Sequence, residues 1–137
     1  MAKTAKEIQG DMVALLKGSA IARLINGKVY RSGYRPRDSR KEDAVVIYTA
    51  GIPSQVQTGV ITVHVYVPDV TLNGVQVEDG KRTAVIERAL QDWADSLTCG
   101  VSNYRFSLQQ TVTTIADDEI QQHIVVAMLR YELFDEN

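Results

Sequence analysis

Ile120-Gln121-Gln122-His123-Ile124-Val125-Val126-Ala127-Met128-Leu129-Arg130-Tyr131-Glu132-Leu133-Phe134 is the stretch on which the fold turns. Successive side chains of a strand point to opposite faces, so Ile124 and Val126 fall on one side and Val125, Leu129, Tyr131 and Leu133 on the other. An antiparallel strand that is apolar on both faces needs cover on both. Helices supply one side; another subunit is the candidate for the second. Immediately upstream, Asp117-Asp118-Glu119 turns the chain. Before that turn, Tyr104, Phe106, Leu108 and Val112 alternate with Arg105, Ser107, Gln109, Thr111 and Thr113, the pattern of a hairpin partner with one wet face.

Further upstream, Ile86, Ala89, Leu90, Trp93, Ala94 and Leu97 form one stripe of an amphipathic helix, with Gly100 placed to terminate it. Residues 69–80 read as a polar arm, in which Asn73-Gly74 between Leu72 and Val75 is a hairpin signal, with an irregular arm the alternative. Val60–Val67 and the continuous apolar run Ala44–Tyr48 read as strands, joined through the turn Gly51-Ile52-Pro53-Ser54. At the start, Thr4-Ala5-Lys6-Glu7 has capping-box spacing ahead of Ile8, Met12, Leu15 and Leu16, which repeat at helical period up to Gly18. Ser19 caps a short second turn, and Lys28-Val29-Tyr30 begins an extended segment. The order helix, strand, strand, strand, helix, strand, strand (α-β-β-β-α-β-β) predicts an α+β fold. It is a mostly antiparallel sheet of about five strands with two main helices packed on one face.

The 137 residues are expected to form a single domain, 1–137. An apolar fraction of 45%, a charged fraction of 23% and a net charge of −2 exclude a disordered chain and argue against extensive nucleic-acid coating. The chain start shows no targeting signal and no apolar run has membrane-spanning length, which predicts a cytoplasmic protein.

No side chains assemble into a recognisable catalytic motif, and no metal or cofactor is expected. The lone Cys99 can form neither an internal disulfide nor a thiolate zinc site; at a helix C-terminal end it reads as a small buried residue. His64 and His123 sit inside strands and read as packed or hydrogen-bonded groups. Asp117-Asp118-Glu119 and Glu78-Asp79 read as solvated turns. The charged feature to pursue is the loop that carries Arg31, Arg35, Arg37, Arg40 and Lys41. It is either an electrostatic contact surface or a solvated loop whose arginines pair with Asp38, Glu42 and Asp43.

Across most of its length the chain resembles the small tail-terminator, tail-completion and head–tail joining proteins of long-tailed phages and prophages. The likeness is carried by the opening helix, the turn leading to Ile25-Asn26-Gly27-Lys28-Val29-Tyr30, and the polar loop with Arg35-Pro36 before Ala44–Tyr48. A strand pair, an arm, one long helix and a final hairpin complete it. The resemblance implies a non-enzymatic structural role, with copies of the chain, about six, closing into a ring at the tail end or head–tail junction. Its partners would be itself and neighbouring tail-tube or head-connector proteins, with at most weak non-specific contact with passing DNA and none with membrane. Its location would be the bacterial cytoplasm during assembly and then the virion. The doubly apolar last strand, through Val125, Leu129 and Tyr131, and the arm 69–80 would make the contacts, and the Arg31–Lys41 loop would face the lumen or a neighbouring ring. A second reading is a small-ligand-binding or enzymatic α+β module. It predicts a pocket between helix and sheet with polar groups converging near His64, Tyr66 and Trp93.

Overall fold

The computed structural model describes residues 2–134. In order, its elements are α1 (Ala5–Lys17), α2 (Ala20–Leu24), β1 (Val29–Arg31), β2 (Ala44–Ile52), β3 (Val56–Pro68), β4 (Val70–Leu72), β5 (Val75–Val77), α3 (Gly80–Ser96), β6 (Tyr104–Leu108), β7 (Thr113–Asp117) and β8 (Gln122–Phe134). The fold is α+β with a mostly antiparallel sheet, as the pattern predicts. The main sheet runs β1-β2-β3-β8-β6 with β7 also on β8, making six strands where about five are expected, and β4-β5 form a separate ribbon.

The extra strand comes from a break. Tyr104–Thr113 reads as one strand, but the pairings Leu108 with Leu129 and Thr113 with Val126 set residues 109–112 opposite only residues 127 and 128. Such a bulge bends and twists the strand. Here it also delivers Val112 into the core. β6 and β7 therefore follow one another along the same side of β8.

The 13-residue strands β3 and β8 pair along their whole length and form the spine of the sheet. One face of that spine (Ile61, Val63, Val65 and Val67 with Val125, Ala127, Leu129, Tyr131 and Leu133) packs against Ile8, Met12 and Leu16 of α1 and Ile86, Leu90 and Trp93 of α3. α1 is held at its start by the expected box: the Thr4 hydroxyl accepts from the Glu7 amide, and the Glu7 carboxylate accepts from the Thr4 amide. That backbone hydrogen bond is the main reason the Glu7 carboxyl lies below its usual pKa.

The opposite face carries Val45, Thr62, His64, Tyr66, Ile124 and Val126, all outside the cluster that the helices cover. β1 is parallel to β2, so residues 32–43 must cross back from the end of one to the start of the other. That crossover reaches the helix-free face at its Tyr66 and Gln122 end. The Gln122 amide donates to Ser39 O at 2.8 Å and its oxygen accepts from Arg35 at 2.9 Å. Part of the second cover for β8 is thus the chain's own loop.

Candidate functional site

One connection enters the sheet at the end where another leaves it, at Ala44 of β2 and Pro68 of β3, and their chemistry is opposite. The basic crossover, residues 32–43, is fastened to the domain through Arg35. Its Nε donates to Asp43 at 3.0 Å, and its Nη2 donates to Gln122 and to the backbone oxygens of Ser39 and Lys41. The guanidinium also lies 3.9 Å above the Tyr66 ring. Both ends of the ion pair are out of water, with Asp43 only 2% exposed. Asp43 further accepts from the Lys28 amide and the Ser39 hydroxyl. Arg35 therefore organises the loop from within and is unavailable to a partner.

The remaining loop cations are dispersed. Arg40 donates to Ile120 O at 2.8 Å, so it closes the loop onto the β7–β8 turn, beside Asp117, Asp118 and Glu119. Arg31 points to the helix side, against Gly10 of α1. Arg37 and Lys41 stay exposed, as does Tyr34. Glu42 is taken by an arginine from elsewhere: Arg82 of α3 donates to it through Nε and Nη2 and to Leu24 O. That bond to Glu42 raises the Arg82 pKa.

The second connection is the arm, residues 69–78. The Asn73-Gly74 signal is realised: φ is +51° and +79° at the two positions, as a type I′ turn requires. In the ribbon Val70 faces Val77 and Leu72 faces Val75, so the four aliphatic side chains share one side and Thr71 and Gln76 the other. Leu72 and Val75 are 59% and 60% exposed. Segment 70–77 contains no charged residue, and it is not the polar arm that the sequence suggests. Its base is fixed, however. The Asp69 amide donates to Gln121 O, and Asp69 Oδ1 lies 2.7 Å from His123 Nδ1. Glu78 Oε1 approaches the other imidazole nitrogen at 3.8 Å. Glu78 also accepts from Thr83, and Asp79 caps α3 by accepting from the Arg82 amide, so neither is simply a solvated turn residue.

Val125, Leu129 and Tyr131, expected at a contact surface, are fully buried under the helices. The odd-numbered face of β8 is the core face, so these residues act within the subunit. Burial, and then the hydrogen bond with Tyr48, drive the Tyr131 pKa upward. His64 and Tyr66 share the helix-free face with rings 6.5 Å apart, whereas Trp93 packs on the other side of the sheet. The triad expected for a ligand pocket is not assembled. The two histidines lie apart, His64 opposite Val126 and His123 opposite Val67. Burial lowers the His64 pKa from its usual 6.5. Cys99 is exposed rather than buried, because α3 has already ended and the turn to Gly100 runs over the surface.

A cleft does open between α1 and β6, elsewhere than expected. It measures about 390 Å³ and is lined by Ile8, Met12, Leu15, Ile61 and Phe106, with Asp11 and Tyr104 at its polar side. Tyr104 donates to Asp11 at 2.6 Å, and Lys3 pairs with the same carboxylate at 2.5 Å. Burial first, then the bond to Asp11, raise the Tyr104 pKa. Among the described residues no cluster of His, Cys, Asp and Glu is arranged to hold a metal, and no helix is long and apolar enough to cross a membrane.

No family model and no curated protein matches the chain. Among solved structures 12 chains match. One, whose designation states no function, superposes at a TM-score of 0.51 with 15% identity, covering 100% of this chain and 99% of its own. At that identity the likeness shows the fold alone: another chain of nearly the same extent adopts this arrangement.

Proposed function

We propose that this chain is a structural, non-enzymatic component of a phage or prophage particle, forming a ring at the tail end or head–tail junction through contacts between copies. The observation that carries the reading is the arm: an uncharged ribbon, anchored at its base, that presents Leu72 and Val75 to solvent. An isolated two-stranded hairpin is marginal in water, and an exposed aliphatic strand is normally covered or guarded by charge. A subunit that keeps such an arm has a use for it in contact with another chain. The resemblance in element order supplies the particle in which that contact is made.

The reading is tested on particles released when a host carrying the gene is induced. The expected result is that the chain co-sediments with the particles and that labelled antibody decorates the tail end or the neck. Recovery only in the particle-free fraction would contradict it. A second reading, a small-ligand-binding or enzymatic module, is favoured by the cleft beside α1, where an apolar lining meets Asp11 and Tyr104.

A further inference from the structure

Among the described residues the β4–β5 ribbon pairs with no other strand of its own subunit, and the same subunit carries a strand edge suited to it. β7 lies at the border of the main sheet and, among the described residues, pairs only with β8. Its first four residues, Thr113, Thr114, Ile115 and Ala116, include no charge and no proline, the usual guards of an open edge, and its single charge, Asp117, sits at the last position beside the turn into β8. Thr114 turns toward the helix side, where its hydroxyl donates to Glu87 at 2.5 Å. Ile115 consequently lies on the helix-free face, 47% exposed, in a row with Ile124 and Tyr66. The competing borders are guarded. β1 is three residues long and contains Arg31; β6 contains Arg105, whose guanidinium stacks at 5.5 Å on Phe134.

We infer that the β4–β5 arm of one copy adds to the outer edge of β7 in a second copy, prolonging that copy's sheet. The inference rests on the self-assembly half of the reading above. Strand addition satisfies the unpaired main-chain groups of both edges at once. It also sets the arm's aliphatic side (Val70, Leu72, Val75 and Val77) beside Ile115, so the row from Tyr66 through Ile124 continues into the neighbour. Donor and acceptor are different surfaces of one chain. The contact is therefore heterologous and repeats from copy to copy until rotation closes it.

The test uses two full-length variants, Leu72→Asp/Val75→Asp in the arm and Ile115→Lys at the edge, with native mass spectrometry as the readout. Each variant alone should lose self-association by at least about tenfold while keeping the wild-type far-ultraviolet spectrum and the unfolding midpoint that the wild type shows when diluted to the dissociated subunit. Mixed, they should form a one-to-one dimer that grows no further, because the arm variant retains a sound edge and the edge variant a sound arm. If aspartates in the arm unfold the chain, Leu72→Thr/Val75→Thr gives the same reading, since threonine suits a strand but removes the aliphatic surface. The proposal is overturned if assembly is indifferent to either change, if the mixture gives no one-to-one dimer, or if the wild type is monomeric throughout a concentration series. Failure to find the chain in particles, with the one-to-one dimer still formed, would remove the phage assignment and leave the interface standing.

Discussion

Residues 32–43 and residues 69–78 are connections of similar length at one end of the same sheet, and they behave in opposite ways. The first is rich in arginine and is bound to its own domain by Arg35, Arg40 and buried Asp43. The second carries no charge between Val70 and Val77 and forms a ribbon separate from the main sheet, with Leu72 and Val75 exposed. Charge density would direct attention to the first. The comparison teaches that a cation inside a fold is often consumed by local carboxylates and carbonyls, whereas exposed aliphatic side chains on an unpaired strand have no such local remedy.

The contrast breaks or holds first at Arg35. Arg35→Ala strands the buried Asp43 carboxylate and removes the stacking on Tyr66, and the expected loss is about 3–5 kcal/mol in urea denaturation. Arg35→Lys should restore only part of it, because an ammonium cannot reproduce the planar fork. A loss near zero would mean that the crossover is a solvated loop after all. Leu129→Ala comes next: Leu129 is fully buried on the helix-covered face, and about 2–5 kcal/mol should be lost. Whatever protein remains folded should still associate normally, since Leu129 belongs to the core and not to a contact surface.

A smaller effect is expected at His64. Its folded-state pKa is depressed by burial, so the folded protein binds a proton less readily than the unfolded chain. Stability is then complete above the usual value of 6.5 and is lost as pH falls through the lower, folded-state value. His64→Phe should flatten that part of the pH–stability curve relative to wild type in parallel thermal melts. Least of all should change on Leu72→Asp, within about 0.5 kcal/mol of wild-type stability when both are diluted to the dissociated subunit, because the side chain touches no core. A large loss there, measured by the same urea titration, would mean that the arm is packed on its own subunit, and the comparison would collapse.

Much of this architecture is legible in local chemistry. The Thr4 box, the stripe ending at Leu97 and the two-faced last strand each depend on neighbours a few residues apart, and the acidic turn is found one to two residues on from Asp117-Asp118-Glu119, at 118–121, with Asp117 in β7 opposite Gln122. What escapes is non-local. The alternation from Tyr104 to Thr113 runs on through residues 109–112, so nothing in it marks the bulge. Arg35 finds Gln122 at a distance of 87 residues, and no spacing rule connects them. For Cys99, side-chain character argued for burial, yet exposure followed from where the helix stopped. In the arm, Asn73-Gly74 marks the hairpin that forms, whereas the reading of 69–80 as polar passes over the uncharged aliphatic run 70–77 on either side of it.

In the role proposed above, copies of this subunit join into a closed ring. Its most direct test is the solution mass of the purified chain across a concentration series, by light scattering, with electron microscopy of the same samples. The account predicts growth to one closed multiple of about six subunits and no larger, with rings in the images. A compact dimer that never grows, or a monomer at every concentration, would contradict it.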